Sequence, residues 1–167
     1  MQFNSVDALS QELMNESEAT RRLFARIPED KLAWTPHPKS MTLGQLALHV
    51  AGLPRAIPDL LDELNREAPN VPRPQPSSVE EILYTLDDGL AFAKRKFAEW
   101  GDDGMNATWT LTFKGRTVFT MPRAAAVRTI LLNHTYHHRG MLMVYLRLLD
   151  VPLPSVYGPT ADESPFG

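Results

Sequence analysis

Apolar positions recur with a 3.6-residue period over four long segments, and these segments account for most of the 167-residue chain. The first runs from about Val6 to Ile27, with Leu9, Leu13, Leu23, Phe24 and Ile27 marking one side, Asn4 or Ser5 as candidate cap and Pro28 at its end. The stretch KLAWTPHPKS, Lys31 to Ser40, contains two prolines that forbid a regular helix, so it reads as a connection. A second helix is predicted from near Thr42, a good cap residue with Gln45 three places on in the manner of a capping box. Pro54 and Pro58 fall within it and predict a kink or short break before the helix resumes to about Leu64.

The next stretch, APNVPRPQPSS from Ala68 to Ser78, holds four prolines and reads as an extended linker able to span a bundle. Such a linker permits the helices on either side of it to run parallel. Helix three opens at Ser77 or Ser78, with Glu80 and Glu81 suiting the dipole of its first turn, and runs to about Trp100. Gly101-Asp102-Asp103-Gly104 breaks it. WTLTFKGRTVFTM then alternates with period two on either side of Lys114-Gly115, which predicts a small β-hairpin. The last helix is predicted from near Pro122 through Leu149, until Pro152 stops it, and the tail from Pro152 to Gly167 should lie irregularly over the bundle. The predicted fold is an all-α four-helix bundle with long crossover connections and a small β-hairpin before the last helix, as one domain over residues 1–167.

Composition narrows the function. A hydrophobic content of 43% supplies a core without staples, and cysteine is absent, so any thiol chemistry must use a thiol brought in by a substrate. With a net charge of −3 there is no basic footprint for nucleic acid; the strongest basic group, Lys94-Arg95-Lys96, lies in a helical pattern and reads as a solvated face. No stretch reaches the ~18 apolar residues of a membrane span, and MQFNSVDALSQEL lacks the order of a signal peptide, so the expectation is a soluble cytoplasmic protein.

The candidate chemistry lies in the histidines. His134, His137 and His138 fall within five residues of the last apolar helix, in LLNHTYHHRGMLMVYLRLL. Residues four apart on a helix are rotated by about 40°, so His134 and His138 project side by side and can chelate one cation. His137 stands three from His134, and spacing alone leaves it in contention; the tighter stripe favours His138 and puts His137 behind the ligands or at the rim. A third imidazole from another helix would close a facial set with coordination positions left open. His49, inside the apolar run LGQLALHVAGL, is placed to be that imidazole, although a lone histidine on an apolar face is more often a hydrogen-bonded core residue. His37, between two prolines, reads as a connecting residue. Thr135 stands where a zincin helix would have its general base, so a peptidase of that type is not expected. Gln45, one turn before His49, could orient a ligand or water; Asn133, Tyr136 and Arg139 read as packing or interhelix residues, and Asp162 and Glu163 as an exposed acid pair.

KLAWTPHPKSMTLGQLALHVAGL, the late NHTYHHRGML and the tail VPLPSVYGPTADE, in this order, resemble the DinB family of DinB/YfiT-like metalloenzymes over essentially the whole chain. The resemblance implies a four-helix bundle, often a homodimer, with a divalent metal held by three histidines that match His49, His134 and His138 here. Met141 stands where many relatives have glutamine after HHRG. Some members of this superfamily are S-transferases using low-molecular-weight thiols, and others are thiol-dependent isomerases. The expected function is therefore a metal-dependent enzyme, transferase-like or hydrolase-like, acting on a small molecule through metal-bound thiolate or water. The alternative is a non-catalytic metal-binding stress-response or dimerisation module. The metal, whether zinc, nickel or iron, is not encoded in imidazole ligands.

Overall fold

The computed structural model describes residues 6–166, so the candidate caps Asn4 and Ser5 lie outside the described residues. Helix α1 spans Val6–Phe24 and buries Leu9, Leu13, Leu23 and Phe24. A 3-10 turn, Glu29–Lys31, opens the connection to α2, Leu43–Asp62. Thr42 accepts from the Gln45 amide while Gln45 Oε1 accepts from the Thr42 amide, completing the predicted capping box. The connection supplies further acceptors to the start of α2, since Leu43 donates to the Trp34 carbonyl and Gly44 to that of Leu32.

Of the kink or short break expected at Pro54 and Pro58, no break occurs: α2 runs unbroken through both and ends at Asp62. Each proline removes one i→i−4 bond, but both rings are buried, and Pro54 packs close to Gly89 of the neighbouring helix. Tertiary packing outweighs the two lost bonds.

Beyond α2, Asn65–Glu67 form a short strand, β1, that the sequence did not signal. Helix α3, Val79–Asn106, is capped by Ser78 accepting from the Glu81 amide. At Gly101, where the sequence predicted a stop, φ of 56° bends α3 before a last helical turn. The hairpin follows as β2, Thr108–Phe113, and β3, Arg116–Pro122. Its two turn residues, Lys114 and Gly115, both have positive φ, as a tight hairpin turn requires. β1 adds to β2 in parallel register, so the predicted two-stranded hairpin is part of a three-stranded sheet.

The final helix has three parts: α4, Arg123–Ala126; a π-helical segment, Val127–Asn133; and α5, His134–Leu148. Interhelix bonds give the helix directions. Arg55 pairs with Asp88, and Asp62 accepts from both Lys96 and Trp100, so α2 and α3 run parallel across the proline-rich linker, as its length permits. Arg21 pairs with Asp87, and the Val6 amide reaches Asp102, which sets α1 antiparallel to α3. Arg128 and Arg139 reach Glu12 and Glu16, so the last helix runs parallel to α1. The four helices enclose a core that includes Leu46, Leu61, Ile82, Phe97, Leu131 and Leu142. The tail crosses α1 and α5 irregularly, and Asp162 and Glu163 are not a free pair: Arg147 holds one, and Arg22 and Arg26 the other. No described helix is long and apolar enough to cross a membrane.

Candidate metal centre

The antiparallel pairing of α2 with α5 brings His49 against His134 and His138, which lie 85 and 89 residues further along the chain. His49 Nε2 lies 3.4 Å from His134 Nε2, which lies 2.8 Å from His138 Nε2. One nitrogen from each ring falls within 4.8 Å of the other two. Tetrahedral coordination at the ~2.0–2.1 Å zinc–imidazole length sets ligand nitrogens roughly 3.3 Å apart, so the observed spacings fit one cation. The rings are half-buried, enough to limit solvation while leaving one side of the cluster toward solvent.

The protonation pattern also fits a cation. The Ile130 carbonyl, one turn back, favours a proton on the facing His134 nitrogen, and because Nε2 faces the other imidazoles that nitrogen is Nδ1, which leaves a lone pair on Nε2. His138 then has two choices. With its proton on Nδ1, two lone pairs oppose each other across 2.8 Å, and with its proton on Nε2, the buried Nδ1 is left as an acceptor without a partner. A cation among the three Nε2 atoms resolves the first arrangement by using both lone pairs, although the Nδ1 proton of His138 still lacks an acceptor. Burial pushes all three imidazoles below their ordinary range. Neighbouring positive charge adds to the effect on His138, which falls to about 4. Neutral rings with converging lone pairs are the state a metal requires.

The other candidates separate clearly. His137 is exposed, with its ring centroid 4.8 Å from that of His138, at the rim of the cluster and outside the converging set. His37 accepts from the Lys39 amide within its loop. Gln45 holds the cap through Oε1 and donates from Nε2 to the Arg73 carbonyl, tying the linker to the start of α2. Tyr136 bonds to Glu12, and Arg139 to Glu16 and Tyr157, on the side of α5 turned away from His134 and His138. Met141 continues the histidine stripe one turn beyond His138 and packs against the core.

Two features of the site escaped the sequence. The π segment directly precedes His134, and its wider turn sets the rotation at which α5 presents its imidazoles. Arg128, within it, is clamped to Glu12 with a 2.6 Å bond. Arg73, in the linker, lies near enough for its charge to lower both His49 and His138. A proline-rich linker carries no signal for that approach.

The DinB family model matches residues 1–165. The chain belongs to the DinB family. It is 26% identical over 162 residues to the uncharacterized protein YrdA of Bacillus subtilis strain 168, covering 96% of this chain and 93% of that one. It superposes on a DinB-like protein from Bacillus cereus with a TM-score of 0.73 and 25% identity, over 93% of this chain and all of the other. The DinB-like protein YjoA of Bacillus subtilis, at 16% identity and a TM-score of 0.63, shares the fold over 93% of this chain and 97% of its own. As a DinB-family four-helix bundle with three histidines placed to hold an ion, the chain bears out the expected family and fold.

Proposed function

We propose that this DinB-family chain binds one divalent metal through His49, His134 and His138 and acts on a small molecule at that metal as a transferase-like or hydrolase-like enzyme. The observation that carries this reading is the convergence of three neutral Nε2 atoms at 2.8 and 3.4 Å with no carboxylate or fourth imidazole in the set among the described residues. Three protein ligands leave a position for an exchangeable ligand, which is how catalytic sites differ from closed structural ones. A divalent cation held there would lower the pKa of a bound water or thiol toward neutrality.

The chain's own residues define the rest. Ile130 fixes the His134 tautomer through its carbonyl. Trp34 packs edge-on to Tyr145 at 5.8 Å, so the connection is held against α5 on the stripe that also carries the histidines. With no cysteine in the chain, a thiol nucleophile would arrive as a low-molecular-weight cosubstrate. The reading includes a cytoplasmic setting and a homodimeric assembly. The alternative, a non-catalytic metal-binding module, predicts a metal with no exchangeable ligand.

The test is elemental mass spectrometry on tag-free protein beside a His134→Ala/His138→Ala variant. The expected result is about one divalent ion per chain, absent from the variant. Small thiols would then be screened with electrophilic substrates. No metal after anaerobic reconstitution with zinc, nickel and iron would overturn the reading.

A further inference from the structure

Arg73 is a cation held in place without an anion. It lies between Pro72 and Pro74, whose rings fix φ and keep the preceding residues extended, so it sits on a stiff strap. The strap is fastened to the start of α2: Gln45 Nε2 donates to the Arg73 carbonyl at 2.9 Å, and Thr42 donates to Gln75 at 2.7 Å. Gln75 in turn donates to the Leu32 carbonyl at 3.0 Å. Gln45 precedes His49 by one helical turn, about 6 Å along the axis and about 40° around it, so Arg73 is anchored beside the face that carries His49. Its charge reaches both His49 and His138.

Arg21, Arg55, Arg128, Arg139 and Arg147 each meet a carboxylate. Arg73 is exposed, and among the described residues no ion pair or side-chain hydrogen bond engages its guanidinium. A guanidinium carried on this anchored backbone beside a cation site disfavours metal binding by repulsion. Its planar donor fork suits a carboxylate, phosphate or sulfonate.

We propose that Arg73 docks an anionic oxyacid group of the molecule that meets the three histidines, making it a specificity-determining residue for anionic small molecules. This rests on the reading of the triad as a metal site with an exchangeable position. The anion neutralises Arg73 while the other end of the molecule reaches the histidines.

The experiment uses the full chain loaded with cobalt, with metal content measured separately. It is titrated at low ionic strength with 2-mercaptoethanesulfonate and, in parallel, with 2-mercaptoethanol, following the thiolate-to-cobalt absorption. The two probes differ in the anionic group. The native chain should bind the sulfonate roughly three- to fivefold more tightly, the scale of one exposed ion pair, and 0.5 M salt should shrink the preference. Arg73→Ala should abolish the preference with cobalt content unchanged, and Arg73→Lys should retain part of it. Equal affinity for the two probes in the native chain, or a preference that survives in Arg73→Ala, overturns the role of Arg73 alone. Absence of the band with either thiol, with cobalt bound, overturns the thiol reading and this proposal together. Failure to bind cobalt overturns the metal site itself.

Discussion

The two sides of α5 treat buried polar groups in opposite ways. Toward α1 and the tail, Arg139 is only 2% exposed, yet it donates to the Glu16 carbonyl, the Glu16 carboxylate, Thr20 and Tyr157, and Tyr157 returns a bond to Glu16. Tyr136 and Arg128 similarly share Glu12. Toward α2, three imidazoles converge with at least one ring nitrogen unsatisfied. The buried polar groups on the α1 side are saturated by their neighbours, while the histidine side retains lone pairs for something the chain does not supply. The difference separates a structural seam from a candidate site on the same helix.

The strongest test removes one histidine. His49→Ala should lose most of the bound metal while leaving helicity, by circular dichroism, nearly unchanged, because the core does not depend on one half-buried ring. Unchanged metal stoichiometry would place His49 outside the ligand set and dissolve the contrast.

Arg139→Ala should do the reverse. It strips Glu16 of its ion pair and should lower stability by about 3 kcal/mol in urea unfolding, with metal content of the folded protein preserved. A loss below about 0.5 kcal/mol would show that the seam is not a principal clamp.

The two sides should also separate in pH. The three histidines have folded pKa values below their ordinary value near 6.5, so the unfolded chain binds more protons just below that pH. Their stabilising contribution to the metal-free protein is fully present above about 6.5 and is lost as pH falls toward about 4 for His138. Metal should leave over the same interval. Glu12, whose hydrogen bond from Arg128 holds its carboxyl below the usual range, should contribute a loss that begins only as pH falls below the ordinary value of 4.5, later than the onset for the histidines, and that continues to lower pH. Unfolding curves recorded from pH 8 to pH 3 would show a loss that starts near pH 6.5 and steepens below about 4.5; metal retained below pH 4 would point to other ligands.

The smallest expected effect is at Gln45. Gln45→Ala removes half of the capping box and one strap bond, costing about 1 kcal/mol in thermal unfolding without changing metal stoichiometry. A large drop in metal content would restore a direct role for Gln45 beside His49.

The capping box at Thr42, the Ser78 cap and the Lys114-Gly115 turn were legible because each depends on residues only a few places apart, and so was an interruption at Gly101, although the helix resumes after it to Asn106. The side-by-side placement of His134 and His138 was legible for the same reason, since four residues make about one turn. Continuity of α2 through Pro54 and Pro58 was not, because packing against α3 overrides the local penalty. The π segment is equally invisible to a search for a 3.6-residue period.

Composition and periodicity by themselves determined four helices, a hairpin, a histidine pair and the absence of any protein thiol. These follow from backbone hydrogen bonding and side-chain alternation, which act over one or two turns. Only the tertiary structure decided that His49 meets that pair, that β1 joins the hairpin, and that Arg73 lies beside the cluster. Those contacts join residues about 30 to 90 positions apart, and their geometry is set by how four amphipathic helices pack and where the linker is fastened.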